Sequence, residues 1–455
     1  MTKLDKNGLI YGIRDVPKHW YEWLGYPIQM VTSVFVATVL ISNICGTPTS
    51  GALFGAFVGT LVYELITGFK SPVFISSSGA TVSAVCGALA IGDGNNYLMV
   101  AVGGAVVMLI YAVIALLIKI SGKEILKKIL PVEIVGAITI VIGLNLAKFL
   151  VTYCNQGNLD AVPLNSSYGI WCVICALVTM FVTALVSHYG KGFVKNIPFL
   201  FGLAAGYFVA WLVTVCDISY VTVDGINVSR PLIDFSVFDG LKLFSVPEFG
   251  FKNIDFATQW SWSNFGQTLL YFVPVSLAAC CEHYSDHKTL SNIIGTDLTE
   301  TPGVDRTLLG DGVASFVGTL TAGLPNTSYG ESIATIGFSK VASVWVSTAA
   351  AVILGALSFI EPVCAVINSI PSFVFGGAAM ILYGFIAASG LRTLMTNNVD
   401  LNNQKSLILV SVVLTVGVGG IAFINAAFAG VSLAMVLGII LNLILRENKK
   451  DGQKE

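Results

Sequence analysis

Pro325-Asn-Thr-Ser-Tyr-Gly-Glu331 and Pro72-Val-Phe-Ile-Ser-Ser-Ser-Gly-Ala80 are the two stretches that decide the fold. Each opens on a proline and is rich in Ser, Thr and Gly. Each follows an apolar run containing the same five residues, Phe57-Val-Gly-Thr-Leu61 before one and Phe316-Val-Gly-Thr-Leu320 before the other. A helix needs about 20 apolar residues to cross roughly 30 Å of hydrocarbon, and neither stretch supplies them. They read as two broken helices, each an extended segment followed by a half-helix, at equivalent places in two halves of one chain. An extended segment leaves unpaired N–H groups at the start of the half-helix, and these, with the positive end of the helix dipole, suit a carbonyl or an anion. Ser76, Ser77, Ser78 and Gly79 open the first half-helix on this reading, and Tyr329, Gly330 and Glu331 open the second.

The rest of the chain is membrane-like. Of 455 residues, 55% are hydrophobic and 11% charged, with mean hydropathy +0.81; a soluble domain carries roughly 25% charge. A net charge of −2 gives no electrostatic support to a nucleic-acid partner. Apolar spans are expected near 27–44, 48–67, 72–92, 97–120, 130–152, 167–188, 197–216, 264–285, 307–323, 325–339, 341–365, 371–391, 405–425 and 427–446. Fourteen spans put both termini on one side, and on that side fall most of the Lys and Arg residues, from Lys3 and Arg14 through Lys70, Lys123 and Lys191 to Lys340, Arg392 and Lys449. The short loops of the other side carry none, so the positive-inside rule places both termini in the cytoplasm. The long 217–262 loop is then extracytoplasmic. The half carrying the first broken helix is inverted relative to the half carrying the second. The expected fold is therefore an all-α polytopic membrane protein with about fourteen transmembrane segments in a seven-plus-seven inverted repeat, its third and tenth helices short, broken and preceded by extended stretches.

Two glutamates, Glu282 and Glu331, lie in hydrophobic stretches, where a carboxylate costs several kcal/mol or more unless it is paired or neutral. Glu331 falls in the first turn of its half-helix and is a substrate ligand or a helix-capping carboxylate. Glu282 follows a run of small residues that permits close helix packing. Asp286 stands one turn further on the same face, and two carboxylates at that spacing oppose each other's ionisation, as a proton site requires. Asp311, in Gly310-Asp-Gly312, is either interfacial or holds the tenth segment by hydrogen bonds. His283 and His287 face away from Glu282 and read as satisfied core or interfacial groups. They do not read as metal ligands, because no third ligand stands at fitting spacing. The nine cysteines, the Cys172/Cys175 pair included, read as small core hydrophobes. Carboxylates that accept and backbone N–H groups that donate match a neutral planar heterocycle with alternating N–H and C=O groups. A small inorganic anion matches poorly, since no Lys or Arg stands at mid-span in the eighth or tenth segment.

At these residues the chain resembles the nucleobase–ascorbate transporter family, most nearly its uracil/xanthine permease branch. Pro325-Asn-Thr-Ser-Tyr-Gly-Glu-Ser-Ile333 is similar to the family's P-N-T-T-Y-G-E-N-I, and Glu282-His283 to its E-H pair. Ile370-Pro-Ser-Phe-Val-Phe-Gly-Gly-Ala-Ala379 and Leu382-Tyr-Gly-Phe-Ile-Ala-Ala-Ser-Gly-Leu-Arg392 resemble its twelfth-helix region, and Tyr11-Gly-Ile-Arg-Asp-Val-Pro17 its N-terminal signature. The resemblance implies a core domain in two parts (27–120 and 264–365) and a gate domain in two parts (130–216 and 371–446), with a cytoplasmic segment 1–26 and tail 447–455. It implies proton-coupled nucleobase uptake by alternating access at the cell membrane, in a homodimer, with no enzyme chemistry and no cofactor beyond the coupling proton; sodium is the alternative ion. It implies that Glu282, Glu331, Gly330, Tyr329, Ala37, Gly79 and Ser78 bind the base, that Asp286, Glu282 and Asp311 serve proton coupling, and that Tyr383 belongs to the gate.

The departures leave the base open between a uracil-like pyrimidine, slightly favoured, and a xanthine- or urate-like purine. Gly79 stands where uracil permeases place a stacking Phe, which widens the pocket. Asp286 and Asp311 resemble purine-type members, whereas Glu331-Ser332 departs from their Gln-Asn. A sulfate- or bicarbonate-type anion transporter of the same architecture is the second reading.

Overall fold

The computed structural model describes residues 8–92, 94–122, 131–156, 167–191, 194, 197–223, 226–420 and 430–445, with backbone alone at 148–156, 222, 223 and 226. Residues 1–7 of the N-terminal segment and the 447–455 tail lie outside the described residues. Within them, fourteen helices take the places of the expected spans. They are α1 (Glu22–Cys45), α2 (Thr49–Thr67), α3 (Val82–Leu89), α4 (Tyr97–Ser121), α5 (Val132–Gln156), α6 (Ser167–Tyr189), α7 (Pro198–Val215), α8 (Trp262–Ile294), α9 (Val304–Ala322), α10 (Gly330–Ser339), α11 (Val344–Ser358), α12 (Ser372–Thr396), α13 (Gln404–Gly419) and α14 (Val431–Ile444). Seven of them, α1, α2, α4, α6, α7, α8 and α12, are long and apolar enough to cross a membrane. On α4, Leu109, Val113, Leu116 and Ile120 are all more than half exposed. They stand at i, i+4, i+7 and i+11, one apolar face turned outward, as lipid allows and water does not.

The third and tenth helices are broken as expected. Strand β1 (Ile75–Ser77) precedes α3, and β4 (Asn326–Ser328) precedes α10; β2 (Tyr220–Val223) and β3 (Ile226–Ser229) form a separate hairpin in the 217–262 loop. The two extended stretches pair with each other. β1 and β4 are antiparallel, with Ile75 opposite Ser328, Ser76 opposite Thr327 and Ser77 opposite Asn326. Pairing was not foreseen, but it supplies partners for backbone groups that lipid cannot satisfy. The preceding helices end alike, with Gly68 (φ 64°) after α2 and Gly323 (φ 73°) after α9 in the left-handed conformation that glycine adopts without a Cβ penalty.

The repeated pentapeptide explains the junction. Gly59 of α2 and Gly318 of α9 both lie against the Asn326 side chain. That amide donates to Gly55 O at 2.9 Å and to Ala314 O at 3.3 Å, tying the two repeat-related helices together. Thr60 holds β1 by exchanging bonds with Ile75, donating to its carbonyl at 2.9 Å. Ser315 holds β4 by donating to the Asn326 carbonyl.

Three expected boundaries are corrected. The eighth helix does not stop near 285 but runs to Ile294, where Gly295 caps it, so Glu282 and Asp286 stand well inside it. The eleventh stops at Ser358 instead of 365: Ile360 is extended and bridges to Phe244, and Pro362 sits in the first turn of a new short helix, Glu361–Ser369. The first half-helix starts at Val82, not in the serine run, because Ser76 and Ser77 are in β1 and the Ser78 N–H donates to Pro325 O at 2.8 Å.

Packing is densest within two sets of helices. In one, α9 lies on α2 and α4, α11 on α2, and α8 on α4; in the other, α12 lies on α5 and α6, α6 on α7, and α13 on α5 and α14. Small residues set the closest approach: a Cβ on Gly143 of α5 would stand 2.6 Å from Ala387 N, and one on Gly390 of α12 would stand 2.6 Å from Gly136 O.

A Cβ at Gly318 would stand 2.5 Å from Leu324 O and 2.7 Å from Asn326 Cγ, whereas one at Gly266 on α8 would meet nothing within 4 Å. Gly318→Ala is expected to destabilise the fold by about 1–3 kcal/mol through overpacking and Gly266→Ala to leave it unchanged, checked by thermal unfolding in detergent.

Candidate functional site

The two half-helices open onto one cleft. Its walls are Ala37 and Ile41 of α1, Gly79, Ala80 and Val82 at the start of α3, Ile142 and Leu146 of α5, Glu282 of α8, and Leu382, Tyr383 and Ile386 of α12. Its floor is Thr327, Ser328, Tyr329, Gly330 and Glu331, where β4 turns into α10. Both sets of packed helices contribute. Glu282 and Glu331, from different helices, are half-buried and face this cleft, with aliphatic and aromatic side chains around them. At Gly330 a Cβ would meet nothing within 4 Å, so a ligand can approach the backbone at the start of α10. Among the described residues, no Lys, Arg or His lines the cleft.

Of the expected ligands, Glu282, Glu331, Gly330, Tyr329, Ala37 and Gly79 come together here, and Tyr383 joins them. Ser78 does not. It is not among the lining residues; its N–H is committed to Pro325, and its buried hydroxyl has no partner among the described residues. Nor is the space above Gly79 empty. A Cβ there would lie 3.9 Å from Ile41 Cδ1 and 3.9 Å from Ile386 Cδ1, so two isoleucines occupy part of the room that a missing aromatic ring leaves.

The remaining acids stand beneath the cleft and brace β4. Asp286 accepts from Ser328 Oγ at 3.1 Å. Asp311, with no solvent exposure, accepts through Oδ2 from Thr327 Oγ1 at 3.1 Å and faces His283 Nδ1 at 2.7 Å. Of the two expected roles for Asp311, the structure shows the second: it holds the tenth segment. His283 Nε2 lies 3.1 Å from Thr307 Oγ1. His287 Nδ1 donates to His283 O at 2.8 Å, and its Nε2 lies 2.6 Å from the Tyr63 hydroxyl, which donates to Ser71 Oγ at 2.8 Å. The histidines are thus satisfied core groups. No metal-holding group of His, Cys, Asp and Glu occurs among the described residues.

Sequence reasoning missed two buried acids, Glu22 at the start of α1 and Glu64 of α2. Glu64 of α2 is fully buried; its Oε2 accepts from Thr348 Oγ1 of α11 at 2.7 Å, and its Oε1 has no partner among the described residues. The signal for Glu64 was present, a lone carboxylate in the last turn of an apolar helix, but no neighbouring motif drew attention to it. A wider depression at the end of α8, around Lys288, Asn292 and Asp297, is open to the surface and gathers no buried acid.

The chain matches the model of a permease family, Xan_ur_permease, over residues 21–426. It is 35% identical to the uracil permease of Bacillus subtilis (strain 168) over 453 residues, 98% of each chain. It is 30% identical to the uracil permease of Escherichia coli (strain K12), over 92% of this chain and 90% of that one. Among solved structures, the transmembrane domain of the cyanobacterium bicarbonate transporter BicA superposes with TM-score 0.63 at 14% identity, covering 94% of this chain and 99% of that one. SLC26A9 superposes with TM-score 0.61 at 12% identity, covering 93% and 64%. At such identities the likeness is one of fold, and the fold is the inverted repeat.

Removing the Asp311 side chain would leave His283 Nδ1 and the Thr327 hydroxyl without their carboxylate partner in a fully buried site. Asp311→Ala is expected to cost about 3–5 kcal/mol, and Asp311→Asn, which keeps an acceptor for both, distinctly less. Unfolding midpoints of the two variants against the parent protein check the order.

Proposed function

The chain belongs to this permease family, the nucleobase–ascorbate transporters, and on that premise we propose that it is a symporter carrying a nucleobase across the cell membrane by alternating access, driven by protons. It is a multi-pass membrane protein and not an enzyme. The observation that carries the proposal is the placement of Glu282 and Glu331, with the open backbone at Gly330, around one cleft that no Lys or Arg lines among the described residues. Two carboxylates accept hydrogen bonds from ring N–H groups, and the N–H groups at the start of α10 donate to a ring carbonyl. Uracil and related pyrimidines take precedence over xanthine-like purines, because the relatives quoted above are uracil permeases and because Ile41 and Ile386 close in over Gly79. Apolar contact would come from Ala37, Tyr329 and Tyr383.

An anion transporter is the weaker reading. The structural neighbours include a bicarbonate transporter, but a cleft with two carboxylates and no basic side chain among its described lining residues opposes an anion.

For transport, α1–α4 and α8–α11 form a core that carries the base, and α5–α7 with α12–α14 form a gate past which the core moves. The packing described above supports this division, and the cleft between the two sets, with Tyr383 on the gate side, supports movement there. Asp286 lies one turn below Glu282 and reaches the cleft floor through Ser328, so a proton taken up at Asp286 or Glu282 changes the charge beside the base; Asp311 braces the same floor. Both termini face the cytoplasm, and two copies associate through their gates.

Uptake measured with a panel of pyrimidines and purines, at several pH values and with and without sodium, tests the reading. Uracil uptake that rises as the outer pH falls is expected, and sulfate uptake indifferent to every base contradicts the proposal. Glu331→Gln is expected to weaken base binding by at least a hundredfold, the loss of a charged hydrogen bond in a poorly hydrated site. Asp286→Asn is expected to flatten the pH dependence more than it changes affinity, and wild-type behaviour in both variants would show that the site lies elsewhere.

A further inference from the structure

One motif has no part in the cleft: Tyr11-Gly-Ile-Arg-Asp-Val-Pro17. Residues 9–15 run as a strap along the joint between α10 and α11, with a turn at 12–15 closed by Asp15 N donating to Gly12 O at 3.1 Å. Ile10 N donates to Lys340 O at 2.7 Å, Ala342 N to Tyr11 O at 2.9 Å and Val344 N to Ile13 O at 2.9 Å, with Tyr11 and Val341 in a parallel bridge. Ser343 Oγ adds a bond to Asp15 O at 2.6 Å. The joint needs such support. Half-helix α10 has ten residues, about 15 Å at 1.5 Å per residue; its first turn carries Glu331 into the cleft, and its last residue leads into Lys340 at φ 58°, a left-handed conformation that lysine rarely adopts.

The strap is also fixed to α1. Glu22, the first residue of α1, is 7% exposed, and its Oε2 accepts from the Tyr11 hydroxyl at 2.8 Å, from Lys18 N at 3.0 Å and from His19 N at 2.9 Å. Tyr11 is 4% exposed and packs with Val341 and Val346, its ring edge-on to Tyr26. A single side chain therefore joins the start of α1 to the far end of α10. These are the helices that bring Ala37 and Ile41, and Gly330 and Glu331, to the cleft.

We propose that Tyr11 and Glu22 are positioning residues for substrate binding: through the strap they set the placement of α10, and hence of Glu331, relative to α1. The proposal rests on the reading of the cleft as the base-binding site. Neither residue touches the substrate, and their effect passes through the backbone of 340–344.

Tyr11→Phe keeps the ring and its packing and removes only the hydroxyl, which donates to Glu22 and accepts from Lys18 N at 3.1 Å; Glu22→Gln keeps the shape and removes the charge. In the full chain in membrane vesicles, each is expected to raise KM for uracil about tenfold, the effect of about 1.4 kcal/mol, with maximal rate and membrane abundance unchanged. Amide hydrogen exchange is expected to quicken in 331–341 and to stay unchanged across α9. Unchanged KM, unchanged exchange in 331–341, or exchange quickened equally in α9 and α10 overturns the proposal. Should Glu22→Gln fail to reach the membrane, Tyr11→Phe decides alone. If the parent protein takes up no base, the transport reading falls, and the exchange measurement still tests the strap.

Discussion

Backbone N–H and C=O groups at the depth of a bilayer must find partners inside the protein, and the pairing of Ile75–Ser77 with Asn326–Ser328 meets this demand where two helices are broken. Much of the cleft depends on that ribbon. Because it is antiparallel, the half-helices leave it in opposite directions, and α10 starts where α1, α8 and α12 converge. Hydroxyls from the preceding helices hold it, Thr60 on one strand and Ser315 on the other, and the Asn326 amide lies between the glycines of the repeated pentapeptide. Small residues at those positions are a requirement of geometry, since a side chain on Gly59 or Gly318 would occupy the space of Asn326.

The acids of the interior divide by what surrounds them. Asp311 and Asp286 are bonded to Thr327 and Ser328, and they shape the floor. Glu282 and Glu331 face open space in the cleft and can exchange bonds with a bound molecule. Glu64, closed between α2 and α11 with a single hydroxyl donor, touches neither the floor nor the cleft. A carboxylate in such a place is tolerable when neutral or when water reaches it. The division makes Glu282 and Glu331 candidates for recognition and Asp286 the acid best placed to link protonation to binding.

How much could be read beforehand follows from the range of the signal. The broken helices were legible because proline, a short Ser/Thr/Gly-rich run and a repeated pentapeptide coincide in two places. Glu282, Glu331, Gly330 and Tyr329 were legible because a carboxylate or a helix start in an apolar stretch is conspicuous on its own. What stayed hidden is tertiary. The β1–β4 pairing committed the Ser78 N–H and moved the start of α3 to Val82. The room over Gly79 depends on Ile41 and Ile386, which come from two other helices. The histidines read as core or interfacial groups, and what decides for the core, Asp311 on α9 and Tyr63 on α2, lies 28 and 224 residues away. Glu64 escaped notice because nothing local marked it.

The central claim is that Glu282 and Glu331 jointly hold the substrate. The most direct measurement is an experimental structure of the full chain with uracil bound. The account predicts the ring in the cleft of α1, α8, α10 and α12, within hydrogen-bond distance of both carboxylates and close to the backbone of Gly330. A base bound elsewhere, or in this cleft but touching neither carboxylate, would contradict it.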